Sequence, residues 1–432
     1  MGNPHMFSWC KNYPYRNRLE VDWRRLAQGA DAGKDAWKIG VPHARLTRFT
    51  SGGFTMQNCV GATFTRLTRL SLITLLAGAM SITIPVSVSA QRATGAERPD
   101  DRNTSRVLGD MELTAADNVV KGVVDRLDFE SYKSLIKGLT EFGDREQGTP
   151  RNAAAIDWIE DQLQSWGYET ERIHYQYTPR GETVSEPREE VYATKIGSAV
   201  PGEMYILGGH MDGRGGGEAA NDDASGTALV MEIARVLASS DVQTTRSVRF
   251  ALWNNEETGL NGARAYVTQR APLQGIEEPV GSNRYPEPTW LGMIQHDMML
   301  WDHGNPVTWN QALDADVDIE FQLNSAKAEE SAALALKLLN SNRKFATDYP
   351  AAMSNAMSNT DSGPFQDLVA AVSLRENRRL YETGNRANPH WHQLTDLYAS
   401  FSDADFRLGF NAAQTTLGAV AALVEARVVA GR

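Results

Sequence analysis

Apolar positions recur every three to four residues along TPRNAAAIDWIEDQLQSWGYET, where Ile156, Ile159, Leu163 and Trp166 share one face. Thr149-Pro150 supplies a start signal and Gly167 a stop, so the spacing predicts a helix. Downstream the pattern changes to short apolar runs: MYILGGH at 204–210, SVRFALW at 247–253 and LGMIQHDM at 291–298. Helical stretches over about 225–239 and from about Leu260 separate them, and DADFRLGFNAAQTTLGAVAALVEARVV closes the chain as one more amphipathic or buried helix. Strands alternating with helices predict an α/β sheet covered on both faces. No internal repeat is visible.

A different pattern precedes this region. In RLTRLSLITLLAGAMSITIPVSVSA, residues 66–90, Arg66 and Arg69 stand before an apolar stretch that ends in Val88-Ser89-Ala90. Basic start, apolar middle and small-residue end are the parts of an export signal, with cleavage expected after Ala90. A membrane anchor fits less well, because Pro85 and several Ser and Thr residues interrupt a stretch barely long enough to span. Met56 stands just upstream, so residues 56–90 read as the signal peptide and 1–55 as a mis-called extension. The expected product is secreted or periplasmic, with no stable membrane insertion once the signal is removed. Residues 91–118 are polar and charged, with too few apolar side chains to pack, and read as a linker. The folded domain is expected over 119–432.

Charge and cysteine usage narrow the chemistry. Of a whole-chain net charge of −11, residues 1–90 carry +7, which leaves −18 on residues 91–432. An acidic body without Lys/Arg runs argues against a nucleic-acid partner. Cys10 and Cys59 both precede the expected cleavage point, so the mature chain has no thiolate nucleophile, thiolate ligand or disulfide.

The remaining polar candidates gather at strand ends. GGHMDG places His210 at the end of a strand, where open α/β sheets put their ligand crevice, with Asp212 two residues on to orient the imidazole. Taken alone, a strand-end His is more often structural. AANDDASG places Asn221, Asp222 and Asp223 in the turn before a helix, which simple capping would also explain. WNNEETG sets Glu256 beside Glu257 past a second strand, a pair that can divide cation binding and base catalysis or be ordinary surface glutamates. MIQHDMMLWDHG and NPHWHQLTD add His296, Asp297, Asp302, His303, His390 and His392. Six of the eight histidines lie beyond residue 90, and five of those six fall in these segments; His174 is the exception. That concentration points to one joint metal site.

Taken in order, GGHMDG, NDDASG, NNEETG, QHDM and HWHQLTD resemble the co-catalytic di-zinc aminopeptidase family, which includes secreted bacterial leucyl-type aminopeptidases, glutamate carboxypeptidases, glutaminyl cyclases and transferrin receptors. The resemblance spans about residues 135–430, and TEFGDREQGTPRNAAAIDWIEDQL looks like the family's opening segment. It implies a single zinc-exopeptidase domain built on a mixed, mostly parallel twisted sheet with helices on both faces. It implies two zinc ions per chain bridged by Asp222, with Glu257 and His392 completing one site and His210 and Asp297 the other. Glu256 would be the general base and Asp212 the support of His210, while His296 and His390 would be structural. One departure stands out: where the family often shows Ser-Asp-His before Pro-Phe, this chain reads TDSGPF, with Ser362 in the His position.

The implied activity is removal of N-terminal residues from peptides by a zinc-activated water, with Glu256 moving the proton. Loops at about 271–290 and 303–360 would supply a rim or lid. Carboxypeptidase or dipeptidase action would use the same metal cage. A glutaminyl-cyclase-like transferase would keep one zinc, and a non-catalytic ectodomain would lose ligands that are all present here. The sequence does not specify an oligomeric state.

Overall fold

The computed structural model describes residues 112–301, 317–355, 357, 359–376 and 388–429. The expected extension, signal peptide and most of the linker, and also Asp302 and His303, lie outside the described residues. The chain folds earlier than the expected start at 119. Thr114 caps helix α1 (Ala115–Val124), its hydroxyl accepting from the Asp117 amide while Asp117 reaches back to the Thr114 amide. That reciprocal cap holds the first turn inside the stretch expected to be linker.

After α1 come α2 (Phe129–Thr140), α3 (Pro150–Ser165) and the hairpin of β1 (Thr170–Tyr177) with β2 (Glu186–Lys195). Next are β3 (Val200–His210), α4 (Ser225–Ala238), β4 (Val242–Gln243), β5 (Arg246–Trp253), α5 (Asn261–Arg270) and β6 (Thr289–His296). The remainder is β7 (Val317–Phe321), α6 (Ala328–Phe345), β8 (Ala351–Ser354), β9 (Ala371–Arg375), α7 (Asp403–Leu423) and β10 (Arg427–Val428). The expected α3, the three central strands, α4, α5 and α7 all fall where the sequence pattern put them.

Eight strands form one sheet in the order β1-β2-β5-β3-β6-β9-β7-β8. The centre is parallel, and the antiparallel pairs are β1–β2, β2–β5 and β7–β9, so the sheet is mixed. Alternate residues face two cores. Leu207, Phe250, Leu252, Ile294 and Val372 join a large core with the helices of one face, including α3, α4 and α7. Ile206, Ala251, Trp253, Met293 and Ala371 join a smaller core on the other face, closed by Tyr266 of α5.

Expected as a rim, residues 303–360 instead contribute β7, α6 and β8 to the body of the domain. The signal is weak because VDIEF is short and interleaves two acids: Val317, Ile319 and Phe321 enter the large core, while Asp318 and Glu320 are also buried. Residues 271–288 do carry only a short turn of helix, as expected of a surface loop. Among the described residues, no helix is long and apolar enough to cross a membrane.

Register decides where the chemistry gathers. His210 pairs with Trp253, and Gly209 and Leu374 both pair with His296, so β3, β5, β6 and β9 end level with one another. Their exits therefore open on one crevice at the carboxyl ends of parallel strands.

Candidate metal centre

His210 is the last residue of β3, and it arrives there through a close contact. A Cβ on Gly209 would lie 2.7 Å from the Gly226 carbonyl carbon, so only glycine lets the start of α4 sit against this strand. Asp222 lies in the turn Ala220–Ala224 that leads into α4, and its peptide bond to Asp223 is cis. Glu256 and Glu257 follow β5, Asp297 follows β6, and His392 comes from the loop before α7.

Two donor triplets result, each with ligand atoms within 4.8 Å of one another: His210, Glu256 and Asp297, and Asp222, Glu257 and His392. Asp222 touches both. Its Oδ1 is 3.2 Å from His210 Nε2 and its Oδ2 is 3.0 Å from His392 Nε2. Glu257 Oε2 is 3.0 Å from His392 Nε2, and Asp297 Oδ1 is 3.8 Å from His210 Nε2. All five residues expected as ligands thus share one site, together with Glu256.

The donors suit divalent zinc: two imidazoles and four carboxylates, mostly buried, with Glu257 Oε1 lacking any hydrogen-bond partner among the described residues. Burial and then the neighbouring Asp222 push the Glu257 carboxyl up to about 7. Burial also raises Glu256 well above the usual carboxylate range. Asp222 resists burial because His210 and His392 both hydrogen-bond it, which holds it well below that range. Burial lowers His392, but Asp222 and Glu257 outweigh it and bring the imidazole to about 9. Crowded carboxylates balanced by two imidazoliums and the Arg375 guanidinium are what bound cations would relieve.

Asp212 supports His210 differently from expectation. The His210 Nδ1 lies 2.9 Å from the Asp212 backbone carbonyl, whereas the nearer carboxylate oxygen is 3.7 Å away. The carboxylate accepts instead from the backbone amides of Glu256 at 3.1 Å and Glu257 at 3.4 Å. Asp212 therefore joins His210 to the turn that carries both glutamates.

Other positioning groups went unread in the sequence. Asp396 accepts from the Asn221 and Asp222 amides at 2.8 and 3.1 Å. The buried Arg145 guanidinium donates to the carbonyls of Leu139, Gly143, Met211, Glu218 and Ala219, tying the entry to the site to the segment before Asp222. Arg375 donates to Asp297 Oδ2 at 2.7 Å. A charged Arg-Glu pair ending the apolar run AAVSL was the available signal for the last of these.

His296 is a core residue, its Nδ1 3.0 Å from the Gly208 carbonyl and its Nε2 2.8 Å from Thr416 Oγ1. His390 packs edge-on against Trp301 and Phe401 and meets Thr395, apart from the triplets. Neither joins the donor triplets. Ser362 turns inward to Ser373 Oγ at 2.6 Å. It also lines a cleft of about 490 Å³ beside the Glu256 turn, together with Leu260, Arg264, Met357, Asn359 and Gln366.

Residues 190–414 match the model of peptidase family M28. A probable zinc metalloprotease of Pyrenophora tritici-repentis is 31% identical over 174 residues, 35% of each chain. Leupeptin-inactivating enzyme 1 of Streptomyces exfoliatus is 31% identical over 125 residues, 29% of this chain and 27% of that protein. The chain spans about a third of the length of these relatives. In fold it is similar to the LapA aminopeptidase of Legionella pneumophila, with a TM-score of 0.53 and 17% identity over 72% of this chain and 76% of that one. The glutaminyl cyclase of Fimbriiglobus ruber is similar too, with a TM-score of 0.52 and 16% identity over 73% and 98%.

Proposed function

This chain belongs to peptidase family M28, and on that premise we propose that it is a zinc-dependent exopeptidase that removes N-terminal residues from peptides. The observation that carries the reading is Asp222, whose two oxygens face His210 and His392 separately. A carboxylate so placed can serve two cations at once. His210 and Asp297 would hold one zinc, Glu257 and His392 the other, and Asp222 both. Zinc held there supplies Lewis acidity toward a water and toward the scissile carbonyl.

The chain's own groups do the rest. Glu256, buried beside His210 and Asp297, accepts the proton of the attacking water and returns it to the leaving amine. Asp212 fixes the Glu256 backbone, so the carboxyl stays where the proton moves. The substrate's free amine would pair with the carboxylates and set the register at the terminal bond. The cleft beside the Glu256 turn is the candidate for a substrate side chain.

Two complete triplets support the two-metal peptidase over a one-metal glutaminyl-cyclase-like transferase. Export rests on the pattern of residues 66–90, which would place the mature enzyme outside the cytoplasm. The test of the activity is a panel of aminoacyl-p-nitroanilides and matched N-acetylated peptides, with and without chelator. Chelator-sensitive cleavage confined to free N-termini supports the reading. Cleavage only from free C-termini would transfer it to a carboxypeptidase.

A further inference from the structure

The four backbone amides that follow Asp297 all end on side chains. Met298 donates to Asp223 Oδ1 at 3.1 Å and Met299 to Ser225 Oγ at 2.9 Å. Leu300 is shared between Asn221 Oδ1 at 2.7 Å and Glu376 Oε2 at 3.1 Å, and Trp301 donates to Glu376 Oε2 at 2.6 Å. The exit from one ligand, Asp297, is thus laid against the residues around another, Asp222, with no secondary structure of its own.

Glu376 extends this junction to a third ligand. Its Oε1 accepts from Asn388 Nδ2 at 3.2 Å, and Asn388 Oδ1 accepts from the His390 amide at 2.8 Å, two residues before His392. Its own amide donates to the Met298 carbonyl at 2.8 Å. The side chain is 2% exposed, so water cannot replace these bonds freely. Among the described residues, Glu376 is the side chain that accepts both from the Asp297 exit and from the His392 segment.

We propose that Glu376 is a positioning residue that sets the separation of the two metal positions, by holding the Asp222, Asp297 and His392 segments against one another. The inference rests on the di-zinc reading above. Outer partners of metal ligands typically contribute 10–100-fold to metal affinity or activity, which is the scale expected here. Burial pushes the Glu376 carboxyl up to about 8, so near neutrality it is largely the uncharged acid, whose shape and acceptor oxygen glutamine reproduces.

The test compares Glu376→Leu and Glu376→Gln with Glu232→Leu at pH 7. Glu232 is a buried carboxylate that accepts from the Asp128 amide and the Ser131 hydroxyl, joining α2 to α4, and it serves as the control for stability loss alone. Each protein is titrated with zinc against a chelator and, separately, loaded with cobalt for its visible absorption spectrum. Glu376→Leu should bind its zinc about 10–100-fold more weakly, with an altered cobalt spectrum and a fall in kcat larger than any change in KM. Glu376→Gln should stay within about threefold of wild type, well below that range, and Glu232→Leu should keep the wild-type spectrum despite a lower Tm. If Glu376→Leu matches wild type or Glu232→Leu in affinity and spectrum, the proposal is overturned. If it fails to fold, Glu376→Gln decides, because a loss of affinity there as large as a ligand deletion also overturns it. Wild-type protein that binds no zinc would instead refute the di-zinc reading.

Discussion

Arg375 Nη2 lies 2.7 Å from Asp297 Oδ2, which leaves Oδ1 as the oxygen that faces His210. The guanidinium is buried and also approaches Glu320 at 3.5 Å, so its place is set by two carboxylates. Two opposed effects act on a cation held by Asp297. The positive charge repels it, while the hydrogen bond fixes the ligand's orientation.

Orientation should win, since loss of such outer contacts commonly costs 10–100-fold in metal affinity. Arg375→Met is therefore expected to weaken zinc binding by about that factor, read by chelator competition. Tighter binding in the variant would mean that charge repulsion dominates.

Gly209→Ala should cost about 1–3 kcal/mol, because its Cβ would meet the Gly226 carbonyl carbon and the Thr227 nitrogen at 2.7 and 2.8 Å, and neither backbone can yield cheaply. Gly122→Ala, inside α1 with no heavy atom within 4 Å of the added carbon, should instead stabilise by about 0.5–1 kcal/mol. Urea unfolding of both variants checks the contrast.

The raised pKa of Glu376 gives a pH dependence with a definite sign. Its folded value of about 8 exceeds the ordinary 4.5, so the native state holds this proton more tightly than the unfolded chain does. The stability it contributes is complete below about pH 4.5 and is lost as pH rises toward 8. Compared with Glu376→Gln, wild-type apoprotein should lose a few kcal/mol between pH 5 and 8, apart from a constant offset. Parallel stability curves for the two proteins would contradict this.

How much of this was legible follows from what each feature needs. β3, β5 and β6 were readable because strands buried on both faces are largely apolar, and His210, Glu257 and Asp297 because they are ionisable groups at or just past the ends of those apolar runs. β7 and β8 were not, since β8 is only four residues long and β7 is five, with Asp318 and Glu320 interrupting the apolar run and buried for reasons of tertiary contact. Asp212 lies beside His210 but meets the imidazole through its carbonyl, a detail no spacing encodes. Arg145, Arg375, Glu376 and Asp396 act on backbone groups or carboxylates distant in sequence, and their partners become visible only once β3, β6 and β9 end level.

The most direct measurement is zinc content and peptide turnover on the same preparations of wild type, Glu256→Ala and Asp222→Ala. Wild type should hold two zinc ions per chain, and Glu256→Ala should retain them while losing about 10²–10⁴-fold in kcat. Asp222→Ala should lose both zinc and turnover. Full turnover in Glu256→Ala, or two zinc ions retained by Asp222→Ala, would contradict the assignment of these two carboxylates.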